Sequence, residues 1–288
     1  MYEFTKVGDR TGYFVSPAKI GLYTIGNDAF LIDSGNDRDA AKKVLKSLDA
    51  MGLTLRAILV THSHADHIGG CSFLQEKTDC KILSSGIEKA FTRFTILEPS
   101  FLYGAYPPSE LRHKFLFAKP SDPDELILPE GVEAIPLPGH SFDMIGYKMT
   151  DGTVFIGDAL SSKATLEKYP LAFMYDVKSQ LETLDMLETL DGQVFVPSHA
   201  DACETLSELI KINRDSITKN CNLILSLCNE TISVESLLAQ LFCTLGLDMT
   251  FEQNALCSAT LRAYLTYLKE DSKITLEILN NRLCVIRT

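Results

Sequence analysis

The sequence contains no tryptophan and only six histidines among its 288 residues. It also lacks any apolar run of about 18 residues, the length that a membrane-spanning helix needs, so we expect no such span. Basic residues are fewer than acidic ones, 27 against 38, which gives a formal net charge of −11. That balance argues against broad, nonspecific binding of nucleic acid, because such binding needs a basic surface.

The eight cysteines are scattered without C-x-x-C spacing, a pattern typical of reduced thiols in the cytosol. The segment Met1 to Lys6 lacks the basic start and apolar stretch of a signal peptide. We therefore expect a cytoplasmic protein. Hydrophobic content of 45% and charged content of 23% are ordinary for a globular chain, and the length predicts one large domain, alone or with a small one.

Three of the six histidines lie in one six-residue segment with the pattern H-x-H-x-D-H, from His62 to His67. Imidazole nitrogen and carboxylate oxygen are the ligands that zinc and related divalent cations prefer. In an extended segment His62 and His64 point the same way. If a helix then begins at Ile68, Asp66 and His67 can face a second, adjacent point. One short loop can thus serve two metal ions.

Other polar residues follow short apolar runs bounded by glycine or proline, which predict buried strands. Side chains just past strand ends are held by the scaffold yet remain accessible, so sheet proteins often place their sites there. The residues in these positions are Asp33 after 30–32, the histidine-rich segment after 57–60, His140 after 135–137, Asp158 after 154–156 and His199 after 194–196. The sixth histidine, His113, does not fit, and we interpret it as an ordinary polar residue.

These motifs resemble the metallo-β-lactamase-fold hydrolase superfamily: H-x-H-x-D-H at 62–67, then P-G-H, G-D and P-S-H ending at His140, Asp158 and His199. The resemblance covers about residues 1–200. It implies an α/β (α+β) fold built as a four-layer αββα sandwich. It also implies a ligand assignment, in which the first metal is held by His62, His64 and His140, the second by Asp66, His67 and His199, and Asp158 bridges the two. In the segment L-I-D-S-G, Asp33 would orient a ligand loop without binding metal itself. A turn or cap role is the competing interpretation for both Asp158 and Asp33.

The same resemblance implies a metal-dependent hydrolase. A hydroxide bridging two divalent metals would attack a small ester, thioester or lactone. Zinc is the expected metal, with iron or manganese as alternatives. Asp66 would also pass a proton to the leaving group. Two other activities stay open: a mononuclear iron persulfide dioxygenase and a phosphodiesterase or nuclease. The segment after His199 lacks the tyrosine found there in glyoxalase II. This departure argues against recognition of glutathione thioesters.

Residues 86–132 separate the predicted metal loop from the strand before His140. Seven aromatic residues lie between Phe91 and Phe117, and five cations accompany three carboxylates between residues 88 and 119. Such a segment beside a site predicts a lid for a small-molecule substrate with an anionic group and an apolar part. A homodimer contact or a small satellite core is the alternative, since aromatic residues are enriched at interfaces too.

Residues 203–288 form a second region, which we separate from a catalytic domain at 1–202. Helices are predicted over 203–228, 234–245 and 251–268, followed by a hairpin whose turn is Asn280-Asn281. This order resembles a winged helix. In the third helix, however, Arg262 is the only cation, and a groove-reading helix needs several. We therefore predict a packing or dimerisation role, not nucleic-acid binding. Further helices are predicted over 37–51, over 68–78 and from a cap at Asp176.

Overall fold

The computed structural model describes residues 2–288. Its first sheet has six strands in sequential order. They are β1 (Phe4–Lys6), β2 (Thr11–Phe14), β3 (Ile20–Ile25), β4 (Asp28–Ile32), β5 (Thr54–Leu59) and β6 (Lys81–Leu83). The first four form an antiparallel meander, and β4, β5 and β6 run parallel. Parallel pairing brings the carboxyl ends of β4 and β5 to one edge of the sheet.

The second sheet has four strands in the order β10-β9-β8-β7. They are β7 (Val132–Pro136), β8 (Ile145–Met149), β9 (Thr153–Phe155) and β10 (Val194–Val196). Only β9 and β10 are parallel. The predicted strands before His140, Asp158 and His199 are therefore confirmed as β7, β9 and β10.

The two sheets pack face to face through a mostly apolar layer. Tyr23 and Leu59 of the first sheet meet Tyr147 and Phe155 of the second, and all four are buried. The hydroxyl of Tyr147 donates a hydrogen bond of 2.7 Å to the carbonyl of Val60, so the polar tip of this core side chain is satisfied.

The described residues also contain helices, which lie outside the two sheets. They are α1 (Arg38–Ala50), α2 (Ala65–Ile68), α3 (Cys71–Thr78), α4 (Gly86–Arg93), α5 (Leu97–Tyr103), α6 (Lys163–Lys168), α7 (Val177–Leu187), α8 (Ser207–Leu227), α9 (Val234–Leu245) and α10 (Phe251–Glu270). Helices α1 and α3 pack on the first sheet, and α7 and α8 pack on the second. The four-layer αββα sandwich is thereby confirmed. Within residues 2–288 no helix is both long and apolar enough to cross a membrane.

Local sequence signals set several helix ends. The carboxylate of Asp37 accepts hydrogen bonds from the backbone of Asp39 and Ala40, and Asp176 caps α7 in the same way. Gly52, just after α1, adopts a positive φ of 71°, which glycine tolerates best. Met51, the last residue of the predicted helix 37–51, is 43% exposed because α1 ends before it.

A helix is predicted over 68–78, but α2 begins earlier, at Ala65, and so includes Asp66 and His67, while Gly69 and Gly70 separate it from α3. A Cβ atom on Gly69 would lie 2.3 Å from the backbone of Asn36, and one on Gly70 would lie 2.4 Å from the carbonyl oxygen of Ser34. The two glycines therefore permit the histidine-rich loop to lie against the turn between β4 and α1.

The C-terminal region has the order helix, strand, helix, helix and hairpin. It forms a three-stranded sheet of β11 (Ile232–Ser233), β13 (Arg282–Arg287) and β12 (Ile274–Leu279), in that spatial order. Asn280 and Asn281 both have positive φ, as the predicted turn requires. The region shares one apolar cluster with the second sheet, in which Phe195 belongs with Leu237 and Leu261. Its status as a separate domain stays a prediction.

The segment 86–132 contains α4, α5 and a short 3₁₀ turn, and part of it packs on α10. Leu102, Leu111 and Leu116 form a small apolar cluster with Ala255 of that helix. Its cations are mostly paired: Lys89, Arg93, Lys114 and Lys119 each lie within 4.0 Å of a carboxylate. The local surplus of cations in this segment is therefore largely neutralised by carboxylates in the folded protein.

A buried carboxylate in α4 holds together two loops from opposite sheets. Glu88 is 2% exposed. One of its oxygens accepts hydrogen bonds from the backbone and hydroxyl of Ser63, at 2.8 and 2.6 Å. The other accepts from the hydroxyl of Ser141 at 2.7 Å and the backbone of Asp143 at 3.0 Å. Glu88 thus ties the histidine-rich loop after β5 to the loop between β7 and β8.

We expect Glu88→Ala to lower the free energy of unfolding by about 2–4 kcal/mol, because it leaves four buried donors without an acceptor. Urea unfolding of the metal-free protein, kept so by a chelator, measures this change. The control is Glu167→Ala, whose side chain is exposed on α6 and pairs loosely with Lys163. Equal stability of the two variants would show that Glu88 does not hold the loops.

Candidate metal centre

Five of the six histidines converge at the edge of the sandwich where β5, β9 and β10 end. Thr61, the residue before the histidine-rich segment, accepts a hydrogen bond of 2.9 Å from the backbone of Ile145, so the two sheets are joined at this edge. His113 lies apart, near Glu252 at 3.9 Å. The structure therefore brings together every residue that the sequence predicted as a ligand.

The first set consists of His62, His64 and His140. The Nδ1 atom of His64 lies 3.1 Å from the Nε2 atom of His62 and 3.1 Å from that of His140. Burial lowers the pKa of His64 and of His140 to about 4, and with the neighbouring histidines it lowers the pKa of His62 well below its usual value. The three imidazoles are therefore neutral at pH 7, with lone pairs available for a cation.

The second set consists of Asp66, His67 and His199. The Oδ2 atom of Asp66 lies 3.2 Å from Nε2 of His199 and 3.7 Å from Nε2 of His67. Asp158 raises the pKa of His199 to about 10. For His67, burial opposes protonation, but Asp158, Asp66 and Asp33 outweigh it and raise the pKa well above its usual value. The carboxylates around this set therefore favour positive charge on both imidazoles, and bound cations could take the place of those protons.

Asp158 lies between the two sets and faces four histidines. Its Oδ1 atom is 3.3 Å from His67, and its Oδ2 atom is 3.3 Å from His199, 3.6 Å from His140 and 3.9 Å from His62. Burial alone would raise the pKa of Asp158, but His199 and His67 hold it well below its usual range. The residue is a carboxylate reachable from both sides, which is the geometry that a shared ligand needs.

Contacts behind the site orient two of the imidazoles. The Nδ1 atom of His67 lies 2.7 Å from Asp33, whose two oxygens also accept from the backbone and hydroxyl of Thr61 at 2.8 Å. Nδ1 of His199 lies 3.1 Å from the carbonyl of Pro17. A proton on Nδ1 serves both contacts and leaves each Nε2 facing the site. Asp33 has a positive φ of 63°, which directs its carboxylate back under the loop.

Three tests within this structure show that the residues fit bound cations. The Nε2 atom of His67 and the Oδ1 atom of Asp158 are buried without a hydrogen-bond partner. The Nδ1 atom of His64 faces two other imidazole nitrogens, and one proton cannot satisfy both contacts. Three groups of ligand atoms, two of which share His62 and two His67, lie close enough together to hold a metal ion. Cations at these positions would satisfy the unpaired atoms, whereas a purely structural cluster would leave them unpaired.

Three residues that surround the candidate ligands belong to no motif in the sequence. Glu88 is the carboxylate that joins the two loops. Glu98 lies 3.6 Å from Nε2 of His64, and burial, with the charges of Glu88 and Asp66, raises its pKa to about 8. The ring of Phe173 lies 5.3 Å from that of His64 and 5.9 Å from that of His140. Charged residues in an amphipathic helix and a lone phenylalanine carry no sequence signal for such roles.

The hydroxyls near the ligands are already committed. Ser63 and Ser141 are both buried, and both donate to Glu88. A hydroxyl that donates to a carboxylate and lacks a histidine base is not placed as a nucleophile. Chemistry at this site therefore depends on the imidazoles and carboxylates themselves.

Comparison with known proteins agrees with this arrangement. Residues 14–199 match the family model described as the metallo-beta-lactamase superfamily. The chain is 35% identical over 133 residues to a hydroxyacylglutathione hydrolase of Vibrio campbellii, an alignment that covers 46% of this chain and only 42% of that protein. It is 27% identical over 206 residues to the probable metallo-hydrolase YybB of Bacillus subtilis, which covers 68% of this chain and 88% of the relative.

The fold also matches a solved structure over nearly its whole length. A beta-lactamase domain protein from Burkholderia ambifaria aligns with a TM-score of 0.75 at 18% identity, covering 99% of this chain and 94% of that one. The likeness therefore includes the C-terminal helices and hairpin as well as the sandwich. Since the family model extends over more than half of the sequence and includes all the candidate ligands, the chain belongs to the metallo-beta-lactamase superfamily of metallo-hydrolases.

Proposed function

We propose that this protein is a binuclear metal-dependent hydrolase acting on a small ester, thioester or lactone. One observation carries the proposal: Asp158 is a buried carboxylate positioned between two sets of ligand atoms, and its Oδ1 atom and His67 Nε2 have no other partner. A single cation would leave one set of facing ligands unused. Residues 1–202 would supply the ligands, and the C-terminal region would complete the site.

In this proposal His62, His64 and His140 hold one cation, Asp66, His67 and His199 hold the other, and Asp158 touches both. Zinc is the expected metal because imidazole nitrogen and carboxylate oxygen are donors typical of catalytic zinc sites. Bound divalent cations supply Lewis acidity and lower the pKa of water, which removes the need for a serine or cysteine nucleophile.

The chain's own residues supply positioning and proton transfer. Asp66 is the most exposed of the ligand carboxylates, with 34% of its side chain accessible, so it can pass a proton to the leaving group. Asp33 fixes the ring of His67 through Nδ1. The ring of Phe173 lies edge to face with the rings of His64 and His140 and would give that side of the first set an apolar border.

The substrate class is inferred from relatives and from what this chain lacks. A relative named hydroxyacylglutathione hydrolase supports hydrolysis of a thioester, although the alignment covers less than half of that protein. Here Ala200 follows His199, where glyoxalase II has tyrosine, so we do not extend the proposal to glutathione. The nuclease alternative is less well supported, because α10 uses one face for packing and Arg262 is its only cation before Lys269.

We expect protein purified without added metal to contain about two zinc ions per chain, since both ligand sets are complete. Elemental mass spectrometry on protein of known concentration measures this. About one iron per chain would instead favour the persulfide dioxygenase, and persulfide oxidation would be assayed next. Absence of metal, with none taken up on reconstitution, would remove the proposal.

Asp158→Ala should reduce bound metal to one ion or fewer per chain and lower hydrolysis of the best ester or thioester substrate by at least about a hundredfold, because both cations lose a shared ligand. Metal content and kcat/KM are measured on the same preparation. Asp191→Ala is the control, since that carboxylate is 96% exposed and contacts only Lys148. A variant with wild-type turnover would refute the bridging role.

Asp33→Asn should weaken metal binding by roughly 10–100-fold, because an amide can present an N–H group to Nδ1 of His67 and disturb the required tautomer. Competition with a chelator measures the affinity. Asp28→Asn is the matched control at the other end of β4, where the carboxylate pairs only with exposed Arg56. If both variants hold metal equally well, Asp33 has a turn role only.

A further inference from the structure

A groove of about 490 Å³ lies beside the metal centre, between α5, the loop before α7, and α10. Its volume falls within the roughly 300–1,000 Å³ typical of small-molecule sites. Aromatic side chains form much of its wall, with Phe101 and Tyr103 on one side and Phe173 and Tyr175 on another. The aromatic residues of the segment 86–132 thus meet the C-terminal region here.

The third wall of the groove is one face of α10. Ala259, Arg262, Ala263 and Thr266 line it, at the spacing that places side chains on the same side of a helix. The two alanines leave space between the helix and the aromatic walls. Arg262 stands in that space, so the helix contributes both room and a positive charge.

Arg262 has no acidic partner. Within residues 2–288 no carboxylate lies within 4.0 Å of its guanidinium. The guanidinium donates a hydrogen bond of 3.3 Å to the carbonyl of Ser258, one turn earlier. None of the side chains that line the groove is acidic. By contrast, Arg214, an arginine of α8, pairs with both Asp185 and Glu188. In an acidic protein, an unpaired arginine at an aromatic groove is suited to an anion.

Phe173 forms the wall between the groove and the metal centre. This residue lines the groove, and its ring also lies 5.3 Å from His64 and 5.9 Å from His140. Tyr175, two residues later, donates its backbone N–H to the carbonyl of Gly139 at 3.0 Å, which fixes this loop to the loop that carries His140. A ligand in the groove would therefore lie one aromatic ring from two candidate ligands of the first metal.

We infer that this groove is the substrate-recognition pocket, and that it takes a substrate whose acyl or aryl part ends in a carboxylate, sulfonate or phosphate. The apolar part lies between Phe101 and Phe173, and the anion pairs with Arg262. This inference rests on the proposed hydrolase function. It assigns the C-terminal region a role in substrate selection, carried by α10, that its winged-helix-like order alone does not suggest.

The test measures binding of two matched fluorescent probes to the full-length, metal-loaded protein. Anilinonaphthalenesulfonate has an aromatic body and one anion, and phenylnaphthylamine has nearly the same body without the anion. We expect Arg262→Gln to weaken binding of the sulfonate probe by about tenfold relative to binding of the neutral probe. This is the scale of one charge-assisted hydrogen bond. Thr266→Glu, which places a carboxylate one turn from Arg262, should shift the ratio in the same direction.

The control is Arg282→Gln, which changes an exposed arginine at the start of β13, outside the groove. The ratio of its affinities for the two probes should equal that of the wild type. Circular dichroism confirms that each variant is folded. A sulfonate probe that does not bind the wild-type protein, or that binds all variants equally, would overturn the inference.

A second readout separates this inference from the proposed function. If the protein hydrolyses a para-nitrophenyl ester, the sulfonate probe should inhibit competitively, and inhibition should weaken in Arg262→Gln. Inhibition that is not competitive would show that the groove is not part of the substrate path. If no ester, thioester or lactone is hydrolysed, the proposed function fails and the substrate assignment with it, while the probe ratio still decides whether Arg262 forms an anion site.

Discussion

The interaction on which this structure depends is the contact of one buried carboxylate, Asp158, with four histidines. A carboxylate removed from water is costly unless opposite charges or hydrogen bonds compensate it. Here His67 and His199 compensate it, and Asp66 lies on the far side of the same pair. The fold must therefore hold loops from both sheets within a few ångströms of each other, and much of its architecture serves that requirement.

Two further buried carboxylates hold those loops. Asp33 accepts from both polar groups of Thr61 and contacts His67, so it joins the end of β4 to the histidine-rich loop. Glu88 joins that same loop to the one that follows β7. Neither faces a lysine or arginine, so neutral donors and imidazole satisfy them. Such a network is rigid when complete and costly when any member is removed. It explains how seven ligand-type residues from four strand ends keep one arrangement.

The C-terminal region extends this site outward. Its helices share an apolar cluster with the second sheet, and α10 packs on α5 through Ala255 and its neighbours. Ala259, Arg262, Ala263 and Thr266 of α10 border an aromatic groove next to the first ligand set. An order of helices typical of nucleic-acid-binding domains thus contributes one wall of this groove. The charge of α10 agrees with this role, because a single arginine can pair with one anionic group but not with a phosphate backbone.

The sequence by itself determined the candidate ligands and many local structures. The cluster His62 to His67 and the motifs ending at His140, Asp158 and His199 could be recognised because their chemistry and spacing are local. The caps at Asp37 and Asp176, and the turn at Asn280-Asn281, follow from backbone preferences of single residues and were confirmed. Only the tertiary structure decided that Glu88 and Glu98 are buried, that Phe173 lies against two candidate ligands, and that Arg262 is unpaired beside a groove. Those properties depend on contacts between residues 25 to 160 positions apart, and no local pattern encodes which distant surfaces will meet.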